Sequence, residues 1–145
     1  MNIKMKNTKK LVLSLVSMLV ITGFLLTSVN IVSASLPPIG RITNLTCKST
    51  YISSTHTYTV TLDACIKNIG SDGRLWIETY LQTGPSSWTR IYSTTTWLNY
   101  GQSKDYIGTL HGVPPGTHTF KVQVGFTTTQ DIKTITITLK VIDPA

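Results

Sequence analysis

The sequence predicts an all-β protein, one sandwich of about seven antiparallel strands behind an N-terminal export segment. Three observations carry that expectation. From Tyr58 to Lys67, apolar Tyr58, Val60, Leu62, Ala64 and Ile66 alternate with Thr59, Thr61, Asp63, Cys65 and Lys67, the period of a strand with one buried face. Turn-forming clusters of Gly, Pro, Asn and Asp then interrupt the chain at intervals of roughly ten to fifteen residues, the spacing of short strands in a sandwich. The 22 threonines after residue 34 agree, because a β-branched side chain suits a pleated surface and is stiff in a helix.

The first element is the export segment. Four lysines within the first ten residues precede an uncharged apolar run from Leu11 to about Leu26, and Val32-Ser33-Ala34 has the small-x-small form of a cleavage site. Residues 1–34 therefore read as a signal helix that is removed, with an uncleaved membrane anchor as the alternative, since Leu11 to Val32 is nearly long enough to span a bilayer. Either way the rest of the chain is expected outside the cell, and contact with a membrane is expected only through this segment before cleavage.

Removal of residues 1–34 takes four of the 13 basic residues and none of the six acidic ones, so the formal charge falls from +7 to +3. The basic balance belongs mainly to the signal, and a nucleic-acid partner is not expected. The remaining 111 residues are enough for one domain that buries about two-thirds of its unfolded surface.

Residues 35–40, with consecutive Pro37 and Pro38, read as a linker, because proline cannot donate to a ladder. The domain is expected over 41–143. Its first strand is Arg41 to Lys48, its second Tyr58 to Lys67, and Asn68, Gly70, Ser71, Asp72 and Gly73 mark the turn that ends the second. The third places Leu75, Ile77, Thr79 and Leu81 against Trp76, Glu78, Tyr80 and Gln82, and stops at Thr83-Gly84-Pro85-Ser86. Trp88 to Thr94 is the fourth, with Trp88, Arg90 and Tyr92 on one face, and Ser103 to Leu110 the fifth. After Gly112-Val113-Pro114-Pro115-Gly116, His118, Phe120, Val122, Val124 and Phe126 alternate with polar residues as the sixth. The last, Ile132 to Ile142, carries Ile135, Ile137, Leu139 and Val141 on one face.

The stretch T-V-T-L-D-A-C-I-K-N-I-G-S-D-G at 59–73, taken with P-P-G-T-H-T-F-K-V-Q-V at 114–124, resembles cell-adhesion-related bacterial (CARDB-type) and other immunoglobulin-like domains. The resemblance covers about residues 41 to 142. It implies an immunoglobulin-like sandwich in which the first stretch is the strand ending in an Asn-x-Gly turn and the second opens after Pro-x-Gly. It implies no shared catalytic residue. Where related sandwiches often carry a corner tyrosine, this chain has His118.

Cys47 and Cys65 are the two cysteines, and both lie in the exported part, where an oxidising environment permits a disulfide. Their midpoint, His56, falls in an expected turn, so a hairpin there would set them side by side. A bridge closing a loop of this size would contribute about 3 kcal/mol. Cys65 is out of phase with the apolar face of its strand, which puts the expected bridge on the outer side.

For chemistry the sequence offers little. Asp63, Asp72, Glu78, Asp105, Asp131 and Asp143 are isolated from one another, whereas a glycosidase needs paired carboxylates. His56, His111 and His118 lack metal-ligand spacing, and neither a nucleophile elbow nor a phosphate loop is present, so no metal or cofactor is expected. The aromatic residues are the remaining lead. Trp76 and Tyr80 share a face of the third strand, and Trp88 and Tyr92 are expected to share a face of the fourth. If the turn at 83–86 makes a hairpin, the four rings form one exposed stacking surface; the bland alternative is a core tryptophan of the kind found in immunoglobulin domains. The expectation is a secreted, non-enzymatic binding or structural module that takes an extracellular glycan, a cell-wall component or a protein through Trp76, Tyr80, Trp88 and Tyr92. A small secreted effector of antimicrobial or toxin-like type is the alternative, and a hydrolase resting on Glu78 alone comes third.

Overall fold

Seven strands account for most of residues 35–143, which are the residues that the computed structural model describes: β1 Gly40–Ile52, β2 Thr57–Asn68, β3 Gly73–Gly84, β4 Ser87–Leu98, β5 Ser103–Val113, β6 Gly116–Gly125 and β7 Thr129–Leu139. The expected signal at 1–34 lies outside the described residues. All pairings are antiparallel. They form a three-stranded sheet in the order β1-β2-β5 and a four-stranded sheet in the order β4-β3-β6-β7.

Alternation decides which side chains enter the space between the sheets. Along β2 every second residue is buried from Tyr58 to Asn68, and β3 continues the pattern through Leu75, Ile77 and Thr79. Two clusters fill the interior. One gathers Ile42, Ile66, Leu75, Ile77, Leu98 and Val124 where β1 and β3 begin, with Ala64 and Val122. The other gathers Tyr58, Val60, Leu62, Val113, Phe120 and Leu139 toward the opposite end. Each of the larger side chains contributes about 1.5–3 kcal/mol by leaving water.

Several boundaries differ from expectation, for local reasons. β4 runs on to Leu98, which is buried and closes the first cluster. β6 stops at Gly125, so Phe126 leaves the alternation and stands exposed in the turn before β7. Residues 35–40, expected as a linker, are instead a strap fastened to the sandwich. Ile69 N donates to Ile39 O (2.8 Å) and Ser71 N to Pro37 O (3.3 Å). Gln130 Nε2 donates to Pro38 O (2.8 Å). Proline's missing donor costs nothing here, because Pro37 and Pro38 are held through their carbonyls.

Asn68 ties this end together. Its Oδ1 accepts from Ile39 N (3.1 Å) and Gly70 N (3.0 Å), while its Nδ2 donates to Ser71 O (2.7 Å) and Leu98 O (2.9 Å). Its backbone N donates to Gln102 O (3.0 Å), and its O accepts from Gly101 N (2.7 Å). One fully buried residue thus joins the strap and the β2–β3 turn through its side chain and the β4–β5 turn through its backbone. The approach is close: a Cβ at Gly70 would fall 2.2 Å from Pro37 O, and one at Gly73 2.1 Å from Pro38 Cγ. Along the side of the sandwich where β1 meets β7, Asp131 Oδ2 accepts from Ile42 N (2.8 Å) and Gln130 Oε1 from Gly40 N (2.9 Å).

The expected disulfide is corrected. Cys47 and Cys65 are free thiols. The register sets Cys47 opposite Leu62 and Asn44 opposite Cys65, because the hairpin turns between Ile52 and Thr57 and β1 carries a bulge between Ile42 and Asn44. The two cysteines are therefore three residues out of register, about 10 Å along the strand, beyond the reach of a bridge. They also point to opposite faces: Cys47 packs against the second core cluster, while Cys65 faces outward. Burial pushes the Cys47 thiol above its ordinary pKa.

His118 takes the corner position, with Nε2 2.8 Å from Pro114 O, four residues upstream. A carbonyl only accepts, so Nε2 carries the hydrogen in this contact. The ring reproduces the backbone tie that a corner tyrosine makes.

Candidate functional site

On β3 the residues out of phase with the core are Trp76, Glu78, Tyr80 and Gln82, and they line the outer face of the four-stranded sheet. Register brings their neighbours. Arg90 of β4 lies opposite Tyr80, and Trp88 lies opposite Gln82. From the other side, Lys121 of β6 lies opposite Tyr80, and Gly125 opposite Trp76.

The centre of the face is a connected polar and aromatic group. Tyr80 donates its hydroxyl to Glu78 Oε2 (2.5 Å), and Arg90 Nη1 donates to Glu78 Oε1 (2.7 Å). The Tyr80 hydroxyl, with the Arg90 guanidinium assisting, holds the Glu78 carboxyl below the usual range, and Glu78 in turn raises Tyr80. Lys121 Nζ sits 4.3 Å from the centroid of Trp88 and 4.8 Å from that of Tyr80, attracted by the two ring faces. Arg90–Glu78 is the one ion pair found among the described residues, so the Lys121 ammonium has aromatic rings and no carboxylate beside it.

Of the four aromatic residues expected on one surface, the structure brings Tyr80 and Trp88 together around Lys121. Trp76 shares their face, four residues along β3 and so roughly 13 Å away. Its indole lies on Gly125, where an added Cβ would come within 2.4 Å of Cζ2, so it is half-buried by packing across β3 and β6. Tyr92 is displaced from the group. The register shifts between Thr79 and Tyr80 on β3, leaving Ile91 unpaired on β4, and Tyr92 then lies opposite Thr79, a residue that faces the interior. A bulge of this kind changes which face the following side chains take. Tyr92 accordingly lines a slot between the sheets with Leu62, Ile91, Gly108 and Leu110.

Alternation already sets Arg90 on the Trp88 face of β4, but it does not reveal Lys121 as a member of the group. Lys121 is outward by its own strand's period, but that β6 lies beside β3 is a fact of topology. No second carboxylate shares the face with Glu78. Asp63 and Asp105 belong to the other sheet, Asp72 to the β2–β3 turn and Asp143 to the segment after β7, and Asp131 is bonded to the β1 backbone.

Three antiparallel strands packed on four, with short connections crossing between the sheets and a histidine corner near the start of the sixth strand, define an immunoglobulin-like β-sandwich. Comparison with protein-family models finds no match, for the CARDB type or any other, and comparison with curated proteins finds none either. Among solved structures the chain is similar to part of a β-glucuronidase from Bacteroides uniformis (10% identity, TM-score 0.57), covering 66% of this chain and 13% of that one. It is also similar to part of a β-glucosidase from Erythrobacter marinus (14%, TM-score 0.52), covering 71% and 16% respectively. A Bifidobacterium adolescentis GH3 β-glucosidase shows the same relation (16%, TM-score 0.51; 69% and 17%). The chain thus spans under a fifth of each of these proteins, and the likeness is one of fold.

Proposed function

We propose that the chain is an exported, non-enzymatic module that binds a polysaccharide outside the cell through the outer face of the four-stranded sheet. The observation that carries this reading is the group formed by Trp88, Tyr80, Lys121, Glu78 and Arg90 on an open surface. Sugar rings present apolar C–H faces and a rim of hydroxyls. Trp88 and Tyr80 supply surfaces for the first, and Glu78, Arg90 and Gln82 supply acceptors and donors for the second. The unpaired Lys121 ammonium favours a chain that carries acidic groups.

Glu78 is suited to accepting hydrogen bonds, because a carboxyl held ionised by a hydroxyl and a guanidinium is the reverse of the raised pKa that a general acid needs. The neighbours of like fold are named as glycoside-processing enzymes of which this sandwich would be a minor part, which accords with an accessory, glycan-directed role.

Retention on insoluble cell-wall polysaccharide and on soluble neutral and acidic glycans tests the reading, with wild type beside Trp88→Ala. Stacking worth about 0.5–1.5 kcal/mol per contact predicts a loss of up to about tenfold in affinity. The melting temperature should stay close to that of wild type, since Trp88 lies outside both core clusters. Equal retention of both proteins on every glycan would refute the platform.

A further inference from the structure

The end of the sandwich that receives the strap carries a feature the binding face does not use. Four connections and one strand terminus meet there, and each presents one large apolar side chain to solvent. These are Leu36 in the strap (70% exposed), Ile69 in the β2–β3 turn (43%), Trp97 at the end of β4 (62%), Tyr100 in the β4–β5 turn (74%) and Phe126 in the β6–β7 turn (40%). Single exposed apolar residues are ordinary, but five at the tips of one end, two of them Trp and Tyr, are a concentration of the kind that marks an interaction surface. The opposite end exposes Ile52, Val141 and Ile142, with no tryptophan or tyrosine among them.

Cations ring the same end. Arg41 and Lys67 lie opposite one another at the start of β1 and the end of β2, Arg74 lies opposite Trp97, and Lys104 opposite Ile66. The carboxylates nearby are Asp72, Asp105 and Asp131. Asp72 accepts from Tyr100 N (2.7 Å), and Asp131 accepts from Ile42 N and Ile132 N, so Asp105 alone is without such a bond.

We propose that this end docks onto the surface of an anionic lipid bilayer. Trp and Tyr settle at the level of the headgroups, and Lys and Arg beside them are drawn to anionic lipid. Leu36, Ile69 and Phe126 supply the apolar contact that enters the boundary of the acyl chains. The surface is organised in advance, because Asn68 bonds the strap and two of the turns into one unit. Chain connectivity agrees. Leu36 of the strap is only the fourth residue after the uncharged apolar stretch Leu11–Val32, a reach of at most about 14 Å. While that stretch occupies a membrane, this end is the one kept beside the bilayer, and after cleavage its own side chains retain the contact. The proposal does not rest on the polysaccharide reading, since it uses neither Trp88 nor Lys121.

Co-sedimentation with vesicles tests it. The protein is residues 35–145, which contain both core clusters entire, offered to phosphatidylcholine vesicles with and without phosphatidylglycerol. The expected result is pelleting with the anionic vesicles that weakens as salt rises. Trp97→Ala with Tyr100→Ala, and separately Arg74→Glu with Lys104→Glu, should each lower the partition constant by about tenfold or more. Trp88→Ala should leave it unchanged, and melting curves confirm that each variant is folded. Equal pelleting with both vesicle types, equal loss in Trp88→Ala, or concentration-dependent self-association abolished by Trp97→Ala would overturn it, the last by showing that a second copy covers this end.

Discussion

Glu78 and Tyr80 share a 2.5 Å hydrogen bond that moves their titrations apart, which makes the outer face sensitive to pH at both extremes. The folded pKa of Glu78 is depressed. Its contribution to stability is therefore fully present above the ordinary carboxylate value of about 4.3, and it is lost as pH falls through the folded value. Tyr80 is shifted upward, so the same bond is present below about 10 and disappears as pH rises through the raised value. Thermal denaturation across pH should show a plateau between these limits. Because one bond supplies both arms, Glu78→Gln and Tyr80→Phe should each remove its part of the acid arm and of the alkaline arm, and identical profiles for all three proteins would contradict the assignment. The cysteines are a second matter at this scale. Their out-of-register placement on opposite faces predicts two free thiols per chain after denaturation in the absence of reductant, and no change in intact mass on reduction. In the native protein Cys47 should react more slowly than Cys65, because burial disfavours its thiolate.

Among the elements, the strap is the one whose role the sequence conceals. Pro37 and Pro38 announce residues without donors, which read as a linker, yet those residues are fastened through their carbonyls while Ile39 and Gly40 beside them donate. Asn68 was legible as the end of β2, since an Asn before Ile-Gly is turn chemistry. That its amide would meet Leu98 O, 30 residues away, was not, because such a partner depends on how the sheets stack. The bulge in β4 shows the same limit. Period-2 reading places Trp88 and Tyr92 on one face, and a single unpaired Ile91 separates them. Starting the chain at Gly40 removes the strap bonds to Ile69, Ser71, Asn68 and Gln130, and it uncovers Gly73. At about 1 kcal/mol for each hydrogen bond lost, the truncated domain should be less stable than residues 35–145 by roughly 2–4 kcal/mol in urea unfolding. Asn68→Ala should cost a similar amount, because it strands the buried Leu98 carbonyl. A truncation that leaves the midpoint in place would show that the strap only rests on the surface.

For the molecule as a whole, the fold class and most of the core were readable because alternation is local, while the two sheets, the register and the members of the outer-face group come from pairings between distant strands. Those same pairings determine how the protein should unfold. β2 supplies Val60 and Leu62 to one core cluster and Ala64 and Ile66 to the other, and β6 likewise divides Phe120 from Val122 and Val124. No cluster can open without pulling on strands that the other needs, so the sandwich should behave as one cooperative unit. Phe120→Ala is the informative perturbation. Phe120 is fully buried in the second cluster, and its truncation should cost about 3–5 kcal/mol. Trp76 lies toward the other end of the four-stranded sheet, on Gly125, next to the strands that build the first cluster. In a Trp88→Phe, Trp97→Phe background the Trp76 fluorescence reports on that end, while circular dichroism reports on the strands together. The two urea transitions should coincide in the wild-type core and shift to the same lower midpoint in Phe120→Ala. If Trp76 held its original midpoint while the dichroism moved, the clusters would be separate units and the continuity of β2 and β6 would not couple them.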